Sequence, residues 1–145
     1  MKSIFTGTVA VVLGMVFGGG VNWLLAVNIN TSIWPLPEGI TMDPTQADAL
    51  AEWISTLPGQ AFVLVFVAHV LQSGVGAFVA AAVSQVRTPS YIVIVLTALG
   101  GLMNFMSLWE VTPRWMLLEF PAYFVVGSLG ARFGLKIRGA CKTKN

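Results

Sequence analysis

The sequence predicts an all-α, polytopic membrane protein: four antiparallel transmembrane helices plus a short amphipathic helix at one end. Three observations carry this. Hydrophobic residues make up 56% of the 145-residue chain and charged residues only 10%. Soluble domains carry about 25% charged residues, so this chain has too few polar groups to cover a water-facing surface. Four stretches, roughly 4–27, 61–83, 91–109 and 115–135, approach the ~20 apolar residues that a helix needs to cross hydrocarbon. Finally, the cations are sorted. Lys2, Arg87, Arg132, Lys136, Arg138, Lys142 and Lys144 fall on one side of these spans, and Arg114 alone falls on the other.

Taken in order, the first span begins after "MK". Its apolar run exceeds a typical signal-peptide core, so it reads as a true span. A long loop, 28–60, follows. Within it "WPLPEG" should be extended, because proline fixes φ and restricts the residue before it. "DPTQADALAEWISTLPG" then predicts a helix over about 44–56. Asp43 suits the N-cap, Pro44 the first helical position, and Gln46 the capping-box position. Leu50, Trp53, Ile54 and Leu57 share one face. This helix either lies on the membrane or caps the bundle; as a functional element it would be a lid over a cavity. The sequon Asn30-Thr-Ser has no weight without a secretory eukaryotic context.

The second, third and fourth spans are joined by "SQVRTPS" and "EVTPR", turns short enough to make sequential helices antiparallel neighbours. The basic tail at 136–145 should meet anionic lipid. Together these make one membrane domain, residues 1–145. The seven-to-one cation bias places both termini in the cytoplasm and loop 28–60 outside, in the periplasm of a bacterial inner membrane. All five tryptophans map to the outer end, where an indole is favoured.

Polar residues inside the spans are the candidates for function. Ionisable groups there are costly and usually face the bundle interior. At ~1.5 Å per residue, His69 lies about 12 Å below the outer end of its helix. Asn22, Asn104 and Glu119 lie at about 6–8 Å on the same count. Gln72 and Ser73 sit one turn further in than His69. His69 can pair with Glu119, or hydrogen-bond to an Asn or to Tyr123. Glu119 can also pair with Arg114. Pro121 should free the Leu117 carbonyl and kink the fourth helix. The cluster is either a ligand or proton site or a hydrogen-bonded glue between helices.

Gly14, Gly18, Gly76, Gly100, Gly127 and Gly130 recur at helical spacing. Small residues of this kind let membrane helices pack closely. "GGGVN" (18–22) and "GGLMN" (100–104) share a GGxxN pattern, which suggests a duplicated helical hairpin.

Several functions are excluded. One His and one Cys on opposite sides of the membrane make no metal site, and the single Cys141 makes no disulfide framework. No cofactor motif, nucleophile elbow or phosphate loop is present, so a non-catalytic protein without cofactor is expected. A net charge of only +2 without basic–aromatic clusters argues against nucleic acid.

The pattern "PLPEG…AHVLQSGVGAFVAA…GGLMN…PRWMLLEFPAY…GSLG" resembles short bacterial four-helix inner-membrane proteins. The resemblance implies the architecture and the membrane and carries no activity. It does not extend to fluoride-channel subunits or small multidrug exporters, whose characteristic polar residues are missing. Two functions follow as expectations. One is a transporter-like, channel-like or small-ligand-binding bundle with a polar site in the outer half, expected to be homo-oligomeric on volume grounds, since four helices enclose little space. The other is an accessory or scaffold subunit docked to a membrane-protein partner.

Overall fold

The computed structural model describes residues 2–41 and 43–142, with side chains for 5–41, 43 and 45–137. Among these residues all regular structure is helical. Helix α1 (Lys2–Asn22) runs on through a π-helical segment, Trp23–Ile29, into a last α-helical turn, α2 (Asn30–Ile33). An irregular stretch leads to a 3₁₀ turn, Pro44–Gln46, and the short helix α3 (Ala47–Thr56). Two long helices follow, α4 (Ala61–Ser84) and α5 (Thr88–Ser107). A 3₁₀ turn, Arg114–Leu118, opens α6 (Glu119–Lys142).

Three helical stretches are long and apolar enough to cross a membrane: Phe5–Ile33, Ala61–Ser84 and Thr88–Ser107. α6 matches α4 in length at 24 residues. It is not one of the three, because Glu119, Arg132 and Lys136 dilute its apolar run. Many large apolar side chains point outward, among them Phe5, Met103 and Val125.

The first helix does not stop at residue 27 as expected from the polar run "NINTS". Two hydroxyls let the helix continue. Thr31 donates to the Val27 carbonyl, and Ser32 donates to that of Asn28 at 2.6 Å. Such back-bonding satisfies polar side chains within the helix. The amide of Asn28 reaches back five residues to the Trp23 carbonyl (3.2 Å), in keeping with the wider π turn. The loop therefore begins after Ile33, just before Pro35.

The α3 prediction keeps its N-cap and changes its clasp. Asp43 accepts from the Thr45 amide (2.8 Å) and hydroxyl (2.7 Å). Gln46 makes no capping box. It accepts from the Thr41 amide (2.7 Å) and donates to the Gly39 carbonyl (3.1 Å), which ties the preceding loop to the helix. Pro121 also plays a different part from the one expected. Because 114–118 is 3₁₀, the proline falls in the first turn of α6, where its missing N–H breaks no helical bond. The segment 136–142, expected as a tail, continues α6; residues 143–145, with Lys144, lie outside the described residues, and so does the side chain of Cys141.

α4 is the central helix, packed along both α1 and α6. Glycine makes these contacts close. A Cβ at Gly14 would come within 2.6 Å of the Gly76 carbonyl, and one at Gly18 would strike the Gln72 carbonyl. On the other face of α4, a Cβ at Gly130 would meet the backbone of Gly74, and one at Gly134 the carbonyl of Phe78. Ser73 donates to the Tyr123 carbonyl (2.9 Å) across the same contact. Val93 and Ile94 of α5 fill the remaining space, fully buried. The α4–α5 turn closes with Gln85 in the left-handed region, φ +62°.

Gly100 departs from the packing expectation. No atom lies within 4 Å of where its Cβ would be. Its neighbour Gly101 is the close-packed one, leaving room for the Tyr123 ring. The two GGxxN copies thus serve different contacts. The two hairpins also differ, since α1 and α4 lie close along their length whereas α5 and α6 meet far less.

Candidate functional site: a cavity around His69 and Glu119

At the α3 end the helices separate. The space between them is a cavity of about 430 Å³. That volume lies at the small end of the range for ligand pockets, about 300–1,000 Å³. α1 and its π-helical continuation form one wall, α4 the back and α5 the opposite wall, with Glu119 and Tyr123 entering from the start of α6. α3 covers the opening with Leu50, Trp53, Ile54 and Leu57, the apolar face its spacing predicted. Ile54 and Leu57 also pack on the cluster of Ala61, Phe62, Phe105 and Met116, which anchors the lid to the bundle.

At the centre, His69 Nδ1 stands 2.9 Å from Glu119 Oε2. Glu119 is 1% exposed and the His69 side chain 14%. A carboxylate can only accept, so the imidazole donates from Nδ1. Glu119 is the first residue of α6. Its own backbone N–H is taken up by the preceding 3₁₀ turn, bonding to the Met116 and Leu117 carbonyls. Tyr123, one turn later and 1% exposed, is buried beside the same carboxylate. No third His, Cys, Asp or Glu joins the pair among the described residues.

Of the residues the sequence singled out, Asn22, His69, Gln72, Asn104, Glu119 and Tyr123 all line this cavity. Two do not. Ser73 faces the α4–α6 contact through its bond to the Tyr123 carbonyl. Arg114 is exposed, with its guanidinium 5.7 Å from the centre of the Trp109 ring. Cation–π contact of that kind holds it at the surface, and Glu119 takes His69 as its partner instead.

Two residues were missed. Asn30 and Thr97 line the cavity, each 5% exposed, and the Asn30 Oδ1 and Thr97 Oγ1 atoms have no hydrogen-bond partner in the protein. The same holds for Asn22 Oδ1. More than 90% of buried polar groups are paired; these three are not, and neither is Ser90 Oγ away from the cavity. Spacing could have found Thr97, which lies one heptad before Asn104. Asn30 was hidden by assigning residue 28 onward to a loop.

Comparison with known proteins finds no matching family model, no matching curated protein and no matching solved structure.

Proposed function

We propose that this is a four-span inner-membrane protein of bacterial type, similar to short four-helix inner-membrane proteins, that takes a small molecule into an outward-facing site as a transporter-like or small-ligand-binding bundle. The reading counts α6 as the fourth span, with Arg132 and Lys136 near its cytoplasmic end, where long cationic side chains reach the interface. Both termini are then cytoplasmic, and α3 lies on the outer side. The observation that carries the reading is the cavity itself. It surrounds a buried ionisable pair, holds three unpartnered oxygens and lies under a lid. Helix glue would leave no such space, because glue satisfies its polar groups. The glycine-tight packing at the opposite end supports a closed inner side and so a binding site rather than an open pore.

A thermal-stability screen of small solutes on the detergent-purified protein tests this. Solutes that raise the unfolding midpoint of the wild type should lose their effect on Gly100→Leu, whose side chain fills the cavity. Stabilisation of both proteins alike contradicts the reading. A docking role for a membrane-protein partner is the second reading, favoured by Gly19 and Gly20, where an added Cβ would meet nothing within 4 Å. Co-purification of one defined partner in mild detergent, lost on Gly20→Leu, would support that alternative.

A further inference from the structure

The cavity walls hold one carboxylate, Glu119, and no Lys or Arg. Among the described residues the only other ionisable groups facing it are His69, already bound to that carboxylate, and the phenol of Tyr123. The unpartnered atoms are all oxygens: Asn22 Oδ1, Asn30 Oδ1 and Thr97 Oγ1. Asn30 and Thr97 are more than nine-tenths buried, so bulk water does not serve them freely. The rest of the lining is mostly apolar, with Trp53, Phe62 and Phe105, and also carries the uncharged side chains of Gln72, Asn104 and Thr112. Each of these features selects against an anion. A carboxylate or phosphate ligand would meet a buried negative charge and oxygen acceptors, with no cation to receive it.

We propose that the ligand is a small amphiphilic amine, bound in its protonated form with the ammonium directed to Glu119 and with its apolar body against the aromatic wall. This rests on the cavity being a binding site and names the chemistry of its occupant. An ammonium carries three N–H donors and accepts nothing, which suits a carboxylate in a lining without Lys or Arg. Its charge is balanced by Glu119, and an aromatic face near a cation adds attraction. A neutral alcohol of the same shape offers one donor and no charge. The volume of about 430 Å³ admits a body the size of a single aromatic ring with a short chain.

The test uses three probes of nearly equal shape on the full-length protein in nanodiscs, read by isothermal titration: 2-phenylethylamine, 2-phenylethanol and phenylacetate. The amine should bind about tenfold or more tightly than the alcohol, as a charge-assisted hydrogen bond requires, and phenylacetate should not bind. Glu119→Gln should lower amine affinity to that of the alcohol while leaving the alcohol unchanged. Thr97→Val should weaken the amine less, by a few-fold. Ser90→Ala, which removes a buried unpartnered hydroxyl outside the cavity lining, should change neither. If Glu119→Gln does not fold, the ranking of the three probes on the wild type decides the matter alone. Equal binding of amine and alcohol, or preference for phenylacetate, overturns the cation assignment and leaves the pocket standing. Binding of none of the three also overturns it. The pocket itself is then judged separately, by the Gly100→Leu screen above.

Discussion

The two ends of the bundle are built by opposite uses of small residues. From the middle of α4 toward the α4–α5 turn, glycines at 14, 76, 130 and 134 bring backbones too close for a side chain, and Gly74 makes room for Val126. Near α3, Gly100 borders open space, and the helices part around His69 and Glu119. On the proposed membrane reading there is no hydrophobic drive between helices, and van der Waals packing carries their association. The close-packed half therefore holds the fold. The other half is thereby free to keep a cavity and three oxygens without partners.

Substitutions at the two ends should separate these roles. The largest effect is expected at Gly130→Val. Its side chain would meet the Gly74 backbone, which cannot yield as a flexible side chain could. Overpacking costs about 1–3 kcal/mol, and this site belongs at the top of that range. Heating followed by size-exclusion chromatography should show early loss of the monodisperse peak. Glu119→Gln comes next. It leaves the buried imidazole with a weaker acceptor, at about 1–2 kcal/mol of stability, seen as a lower unfolding midpoint. Retention of the full midpoint would mean that the pair contributes nothing to the fold.

Ser73→Ala removes one interhelical hydrogen bond, worth about 0.6 kcal/mol on average in membrane helices. It should leave ligand binding untouched, since Ser73 faces the helix contact. Gly100→Ala should be neutral or slightly stabilising, by up to about 1 kcal/mol, because alanine favours helix and has room here. Destabilisation comparable to Gly130→Val would erase the distinction between the two ends.

The smallest effect concerns the lid. Hydrogen bonds donated by Thr45, first by its hydroxyl and then by its backbone amide, hold the Asp43 carboxyl below the ordinary carboxylate range. Its folded value lies under its unfolded one, so this cap contributes fully above the usual carboxylate pKa and fades as pH falls through the lowered value. Amide exchange over 44–56 should quicken in that acidic window, and Asp43→Asn should flatten the response.

Much of this was legible in the residues. Apolar runs located the long helices but not all of their ends, since the first runs on to Ile33 and the last to Lys142, and the 50/53/54/57 spacing marked the face of α3 that covers the cavity. The pairing of His69 with Glu119 was one of several open choices, decided by the 3₁₀ turn that sets Glu119 at the start of α6. Gly14 and Gly100 look alike in sequence, and only the helix opposite each one distinguishes contact from space. Asn30 and Thr97 escaped notice for local reasons. Hydroxyl back-bonding carried the helix past a polar run, and Thr97 stands out only once its heptad spacing to Asn104 is considered.

The central claim is that the α3 end encloses an accessible cavity while the opposite end is dry. Thr97 and Ser90 test it directly, since both are buried on α5 and both hydroxyls lack partners. Only Thr97 lines the cavity. With Cys141 replaced by alanine, single variants Thr97→Cys and Ser90→Cys should be exposed to a small, membrane-impermeant methanethiosulfonate from the outer side of sealed vesicles. Rapid labelling at 97 with none at 90 is the predicted result. Equal protection at both positions would contradict the account.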